Sequence, residues 1–377
     1  MAEMRRMAWT LLLALVCTAV AAPGATAAQF KKAVYYKIAN RPYQVIAADF
    51  NHDGNLDLAV ADYLASEVSI LLGNGDGTFQ KARKLSVLTP IALAAGDLNG
   101  DQNVDLAIVE YHGNSNGSLD VFLGDGTGNF RKSASYATGV NPAGVALADF
   151  NGDGHLDAAV TNFGSGDVWL MFGDGKGKFG KPSKYKSPGA WAIAVDDLNG
   201  DKHPDMVVSQ AGPGGVQVFL NDGTGKFGKP TTYLGGKGET LGVAIADLNH
   251  DGHPDLVVAN VQRSSISVLL NKGDGTFGKG TTYVTSGSWG FGTYAVVVAD
   301  FNRDGNPDIA AVNQDGKSAL LYGEGNGKFG ATIQISDDFG FDGGITLTAG
   351  DFNNDQAPDL AIGILNDARV AVLLNTR

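Results

Sequence analysis

The sequence predicts an all-β fold, a seven-bladed β-propeller of four-stranded blades whose ring is closed by an N-terminal strand that completes the last blade. Three observations carry this. One motif, Asp-[Phe/Leu]-Asn-x-Asp-x-x-x-Asp followed by an apolar run, begins at Asp49, Asp97, Asp149, Asp197, Asp247, Asp300 and Asp351, a spacing of about 50 residues. Each unit holds four short apolar runs bounded by Gly, Asn and Asp turns, which reads as four strands per unit, the plan of a propeller blade. The two chain ends complement each other: an unpaired fourth-strand pattern precedes the first unit, and the last unit stops after its third strand.

In the first unit Tyr43–Ala48 leads into the Asp loop and Leu56–Ala61 follows it. Glu67–Leu72 is the third strand, Asn74-Gly75-Asp76-Gly77 the turn, and Phe79–Val87 the fourth strand. The runs are too short and too β-branched for helices, and Asn-Gly and Asp-Gly supply the positive φ of tight hairpins. Phe30–Tyr36 is the spare fourth strand and Ala371–Asn375 the end of the unfinished unit, so pairing between them closes the ring. The Lys and Pro residues of the fourth strands, such as Lys84, Lys184 and Pro182, fit outermost strands protected against edge pairing.

Composition narrows the function. The chain has 377 residues, 53 of them Gly, with 44% hydrophobic residues and a net charge of −12. That much apolar residue builds a core rather than a disordered chain. An acidic chain with pI ≈ 4.8 is unsuited to nucleic acid. Arg5 and Arg6, the apolar run Ala8–Ala22 and Ala25-Thr26-Ala27 have the shape of a secretory signal peptide, residues 1–27, leaving 28–377 as the propeller. The only Cys, Cys17, falls inside that segment, so no disulfide holds the mature chain, and no later run is long enough to span a membrane. The mature protein is expected to be secreted, extracellular or periplasmic, and monomeric.

Each Asp loop places side-chain oxygens at its positions 1, 3, 5 and 9. These are Asp49, Asn51, Asp53 and Asp57 in the first unit, Asp97, Asn99, Asp101 and Asp105 in the second, and Asp149, Asn151, Asp153 and Asp157 in the third. The fourth and fifth supply Asp197, Asn199, Asp201, Asp205, Asp247, Asn249, Asp251 and Asp255. The sixth and seventh supply Asp300, Asn302, Asp304, Asp308, Asp351, Asn353, Asp355 and Asp359. Hard oxygens at alternate positions of a flexible loop suit Ca2+, up to seven ions. An EF-hand is excluded, because position 12 is apolar (Val60 in the first loop) and no helices flank the loop. Seven Ca2+ would bring the chain to roughly neutral charge. Position 6 is Gly54, Gly154, Gly252 or Gly305 in four loops but Gln102, Lys202 and Gln356 in the others, where a left-handed turn predicts weaker binding.

The stretch Asp49–Asp62, DFNHDGNLDLAVAD, followed by VSILLGNGDGTF, resembles the FG-GAP/VCBS repeat. The resemblance covers Phe30–Asn375. It implies a propeller like the N-terminal one of integrin α chains, with calcium at the Asp loops on the face away from the ligand. Such repeats also occur in secreted bacterial proteins and some fungal lectins, so the resemblance does not supply a ligand.

Enzyme-like patterns dissolve in context. Gly113-Asn114-Ser115-Asn116-Gly117 matches a nucleophile elbow but lies between two strands. Gly175-x-Gly177-x-x-Gly180 and its copies match a dinucleotide fingerprint but recur as hairpin turns. Five His residues sit in the Asp loops, and no acid/base pair of carboxylates stands apart from them. The protein is therefore expected not to be an enzyme.

The partner is expected on the face opposite the Asp loops. A polar ring is predicted where the second strands end, at Asp62, Glu110, Asn162, Gln210, Asn260 and Asn313. Aromatic candidates around it are Tyr63, Tyr111, Trp191 and Trp289, with Arg41, Phe163 and Tyr294 close in sequence to the same ends. Aromatic rings beside amides and carboxylates suit a protein loop or a carbohydrate. The reading is a calcium-binding interaction or adhesion module, with a calcium-dependent lectin and a polysaccharide-active enzyme as alternatives.

Overall fold

The second strand of every unit is buried along its whole length, from Asp57–Asp62 in the first to Asp359–Ile364 in the last. Strands covered on both faces read as continuous apolar runs rather than alternating ones, and these are the walls on which the blades stack. The computed structural model describes residues 30–212, 214–234, 238–286, 292–335, 343–365 and 367–377. The expected signal peptide, with Cys17, and the candidate Trp289 lie outside the described residues.

Seven antiparallel four-stranded sheets form the ring. In the first, β2 (Pro42–Ala48) pairs with β3 (Asp57–Asp62), β3 with β4 (Glu67–Leu71), and β4 with β5 (Arg83–Ser86). The fourth strand starts later than the sequence suggests, because Phe79 makes only an isolated bridge to Gly73 before the chain reaches Arg83. It is the outermost strand and mostly exposed, consistent with its Lys content. Core clusters belong to pairs of neighbouring blades: Phe50, Ala59 and Ile70 of the first pack with Leu93, Leu106 and Ile108 of the second.

The ring closes as the sequence predicts. β1 (Val34–Lys37) is the outer strand of the last sheet, paired with β28 (Arg369–Leu373), from Val34 opposite Val372 to Lys37 opposite Arg369. Phe30 bridges Asn375, and Lys31 donates its backbone N–H to the Leu374 carbonyl at 2.8 Å. Ala33 and Phe30 join the core cluster of the last two blades. Among the described residues no helix is long and apolar enough to cross a membrane.

Deleting residues 30–37 should expose the β28 edge and open the ring, giving aggregation or loss of the cooperative melt. A monodisperse deletion variant melting like the parent would refute closure through β1.

Candidate functional site

The seven Asp loops share one hydrogen-bond scheme. In the first, Asp49 Oδ1 accepts from the N–H groups of Asn51 and Asp53, and Asp49 Oδ2 from that of Gly54 at 2.9 Å. Asn51 Nδ2 donates to Asp53 Oδ2 at 2.9 Å, and Asp53 Oδ1 accepts from the Asn55 N–H at 2.9 Å. The Asn-to-Asp contact recurs in the other six loops at 2.9 to 3.0 Å. Positions 1, 3 and 5 thus point into the loop, as alternate spacing predicts.

Position 9 does something else. Asp57 is fully buried, and its two oxygens accept backbone N–H groups from Phe50 at 2.8 Å and Gly73 at 2.7 Å. The same double bond is made by Asp105 to Leu98 and Gly124, by Asp157 to Phe150 and Gly173, and by Asp205 to Leu198 and Asn221. Asp255, Asp308 and Asp359 repeat it. This carboxylate ties the loop to the hairpin that ends the third strand, a structural duty beside the metal-ligand one expected for it.

The left-handed turn expected at position 6 is present at Gln102 (φ 71°), Lys202 (φ 69°) and Gln356 (φ 67°). A non-Gly residue in this conformation costs about 1 kcal/mol. Position 4 is also left-handed, which the sequence reading missed: His52 (φ 59°), His250 (φ 62°), Arg303 (φ 60°) and Asn354 (φ 59°) adopt it, with Gly in the remaining loops. Several of these side chains stitch adjacent loops together. His52 Nε2 lies 3.1 Å from Asn103 Oδ1, His250 Nε2 3.1 Å from Asn306 Oδ1, and Asn354 Nδ2 donates to Asn55 Oδ1 at 2.8 Å.

The donor chemistry of positions 1, 3, 5 and 9 fits a hard cation: carboxylate and amide oxygens, with no sulfur or imidazole. The side chains are turned onto the loop's own N–H groups, and among the described residues no three acidic or imidazole groups form a ready metal cage. Burial pushes the position 9 carboxyls up despite the N–H bonds that oppose it. They reach about 6 at Asp57, Asp105, Asp205 and Asp255, about 7 at Asp157 and Asp359, and about 8 at Asp308.

At the opposite end of the first strands the ring opens into a cavity of about 570 Å³. Its wall comes from a feature not read from the sequence. Every pairing of first and second strands has a register shift one to three residues into the first strand, between Pro42 and Gln44 in the first blade. A β-bulge re-aims the unpaired residue. Those residues, always six before the first Asp of the unit, are Tyr43, Ile91, Ala143, Trp191, Leu241, Tyr294 and Ile345, and all of them line the cavity.

Two residues before each bulge comes a second repeated position. In the first three blades it is a non-Gly residue with positive φ: Arg41 (φ 62°), Thr89 (φ 39°) and Asn141 (φ 50°). Their carbonyls accept the N–H groups of Tyr63, Tyr111 and Phe163 at 2.9 to 3.1 Å. In the fourth blade the pair becomes Gly189 and Ala211. Among the described residues, the aromatic rings that follow the second strands are those of the first three blades, Tyr63, Tyr111 and Phe163. Tyr43 and Tyr63 lie 5.2 Å apart, Tyr63 and Tyr111 6.0 Å, and Phe163 and Trp191 5.7 Å. Leu64 (56% exposed), Leu88 (64%) and Phe163 (40%) stand free around this arc.

The expected polar ring is not a surface. Asp62, Glu110, Asn162, Gln210, Asn260 and Asn313 are buried and occupied within and between blades. Asp62 accepts from Ser69 Oγ, Asn162 from the Gly139 N–H, and Asn313 Oδ1 from the hydroxyls of Thr285 and Thr293. Gln210 donates to Ser187 Oγ and Asn260 to Ser267 Oγ. Glu110 receives Ser118 Oγ and sits 3.1 Å from His112 Nε2, its carboxyl pushed up by burial and by the neighbouring Asp120. This acidic pair lies inside the second blade, away from the cavity, and Lys132 and Ser135 hydrogen-bond Asp120. The Gly113–Gly117 segment joins two strands, β7 (Asp105–Glu110) and β8 (Asn116–Gly124), so no nucleophile elbow is built.

A family model for the FG-GAP-like repeat matches six overlapping spans, 49–108, 97–160, 149–208, 197–258, 247–311 and 300–362. The chain belongs to the FG-GAP-like repeat family. Its seventh FG-GAP-type unit, from Asp351, extends past the last span and makes the same position 9 contacts as the others. No curated protein matches the sequence. Solved structures share the fold at low identity. A lectin from Agrocybe aegerita that recognises non-reducing terminal N-acetylglucosamine is similar at 21% identity and TM-score 0.56, covering 87% of each chain. BBS1N, solved in complex with ARL6DN, is similar at 13% identity and TM-score 0.63, covering 93% of this FG-GAP chain and 98% of its own. Virginiamycin B lyase from Staphylococcus aureus is similar at 11% identity and TM-score 0.60, covering 92% and 99%. At these identities the likeness concerns the propeller alone.

Two outcomes test the loop assignment. Asp157→Ala strips the partner from two backbone N–H groups and should cost about 2–5 kcal/mol in chelator, whereas Asp153→Ala, at an exposed position, should cost under about 1 kcal/mol there. Equal losses by denaturant titration would overturn the separate role of position 9. The second outcome concerns pH. The position 9 carboxyls are raised above the unfolded value, so this part of the stability is full below about pH 4 and is lost as pH rises through their folded values. Metal-free protein should melt progressively lower from pH 5 to 8, and a rising melting temperature over that range would contradict the burial argument.

Proposed function

We propose that this FG-GAP propeller is a secreted, calcium-binding interaction module, monomeric, that docks a protein partner over the cavity mouth opposite its Asp loops. The observation that carries the reading is the asymmetry of that mouth. Seven near-identical Asp loops lie at one end of the ring, but among the described residues the ring contacts Tyr43–Tyr63–Tyr111 and Phe163–Trp191, with the exposed Leu64, Leu88 and Phe163, gather in the first four blades at the other, where the sixth adds Tyr294. A lectin with one sugar pocket per blade would repeat its aromatic residues around the ring. Exposed leucines beside the rings favour an apolar protein surface over a hydroxyl-rich sugar. Among the described residues lining the cavity Arg41 is the one charged side chain, with no acid and base beside it, which favours a binding role.

Calcium binding rests on the Asp, Asn and Asp oxygens at positions 1, 3 and 5, repeated in all seven loops. The metal would neutralise carboxylates that otherwise repel one another, so it acts on stability. Secretion rests on the signal-peptide pattern at residues 1–27. The BBS1N structure, a propeller seen with a protein partner, gives a precedent of fold only. The Agrocybe lectin keeps the sugar reading as the competitor.

The purified propeller should melt many degrees higher in calcium than in excess chelator; an unchanged melt would remove the metal from the proposal. In calcium it should select binders from a random peptide library that are lost in a Leu88→Asp, Phe163→Ser variant of unchanged melting temperature. Trp191-dependent hits on a glycan array with no peptide binders would replace this reading with the lectin.

A further inference from the structure

We infer that the partner presents an acidic side chain, Asp or Glu in a peptide segment, which enters the mouth and is received by Arg41. The inference rests on the docking face proposed above and names its chemistry. Arg41 is the one charged side chain among the described residues lining the cavity. Its guanidinium lies 6.0 Å from the centre of the Tyr43 ring, and its buried Nε has no hydrogen-bond partner. A buried donor left without an acceptor is costly, and a guanidinium in an aromatic wall is matched by a carboxylate, which accepts two of its N–H groups at once. In a chain of net charge −12, a lone cation in the central cavity is the opposite of the surrounding field.

The same wall holds a second unpartnered atom. Asn141 Oδ1 is buried without a donor and lines the cavity two blades away from Arg41. It asks for an N–H, which the backbone of a peptide supplies. A carboxylate side chain thus complements the donor fork, and a main-chain N–H elsewhere in the same segment complements the bare acceptor. The apolar rings between them suit a flanking apolar residue.

Both residues hold an uncommon backbone conformation. Arg41 and Asn141 adopt positive φ, a conformation that non-Gly residues hold only when the surroundings impose it, whereas the fourth blade has Gly189 at the equivalent position with φ 80°. Of the three strained residues, Arg41 and Asn141 line the cavity and Thr89 does not.

The test is a selection of random dodecapeptides on the full propeller in calcium, followed by titration of a synthetic peptide from the enriched set. Enriched peptides should carry Asp or Glu at a fixed position next to an apolar residue. Arg41→Gln, and separately Asp→Asn or Glu→Gln in the peptide, should each weaken binding at least about tenfold, and the two changes together should weaken it little further. Arg41→Glu should reselect peptides with Lys or Arg at that position. Unchanged melting temperatures of the variants keep the comparison clear of unfolding. Peptides that depend on Leu88 and Phe163 but carry no acidic residue and ignore Arg41→Gln overturn this inference and leave the docking face standing. The absence of any peptide dependent on the mouth overturns both.

Discussion

The rest of the propeller depends on one buried carboxylate per blade, the Asp at loop position 9. Its two oxygens collect two backbone N–H groups from segments far apart in sequence, the loop start and the end of the third strand, 7 and 16 residues away in the first blade. Two donors need two acceptors on a short stem. Asn offers one, and Glu is a methylene too long for a site with no spare volume. Burial opposes the charge, which the raised carboxyls express, yet removing the group would strand both N–H groups. The fixed hairpin in turn reaches the neighbour. Gly128 of the second blade donates to the Phe50 carbonyl of the first, Asn221 Nδ2 of the fourth to Phe150 of the third, and Asn375 Nδ2 of the seventh to Phe301 of the sixth. A contact that begins as a turn detail is thus the joint between blades.

This changes what the Asp pattern means. Position 9 would be Asp for structural reasons even in a loop that never met a metal, so its recurrence in seven copies is not by itself an argument for calcium. Positions 1, 3 and 5 bear on calcium instead: their oxygens lie in partly exposed loops and accept only local hydrogen bonds, from the loop's own N–H groups and from the position 3 amide. Those contacts hold the loop in shape while leaving the remaining lone pairs of the oxygens turned to the interior.

How much was legible in the sequence follows from the same physics. Blade number, strand order and ring closure were readable because apolar runs and Gly/Asn/Asp turns recur at a fixed period, and Phe30–Tyr36 could be matched to the edge left by the last unit. The left-handed position 6 was readable from the four Gly residues found there. Position 4 was not, since His52, Arg303 and Asn354 take the same conformation without a Gly to announce it. The polar ring misled because polarity at a strand end was taken for exposure, whereas residues such as Asn162 and Asn313 bridge blades that the sequence does not show in contact. The cavity wall was read in part: Arg41, Tyr63, Tyr111, Phe163, Trp191 and Tyr294, named for this face, line it, but its repeating column was not, because a bulge breaks the two-residue alternation on which strand facing is read. Aligning the units on their first Asp would have exposed it, with Tyr43, Trp191 and Tyr294 in one column.

The two ends of the ring answer to different demands, and the strands that join them decide how they communicate. Each first strand begins at the mouth with a bulge and ends seven residues later at its Asp loop, a span of about 20–25 Å. Its register is pinned by a second strand buried along its whole length, so a one-residue slip would throw polar groups into the core. Order at the loops therefore reaches the mouth through the survival of the blade, not through sliding of the strand. The calcium and ligand proposed above would therefore be coupled through folding: the loops hold the blades together, while the shape of the mouth is written by its bulges and by the left-handed residues that precede them.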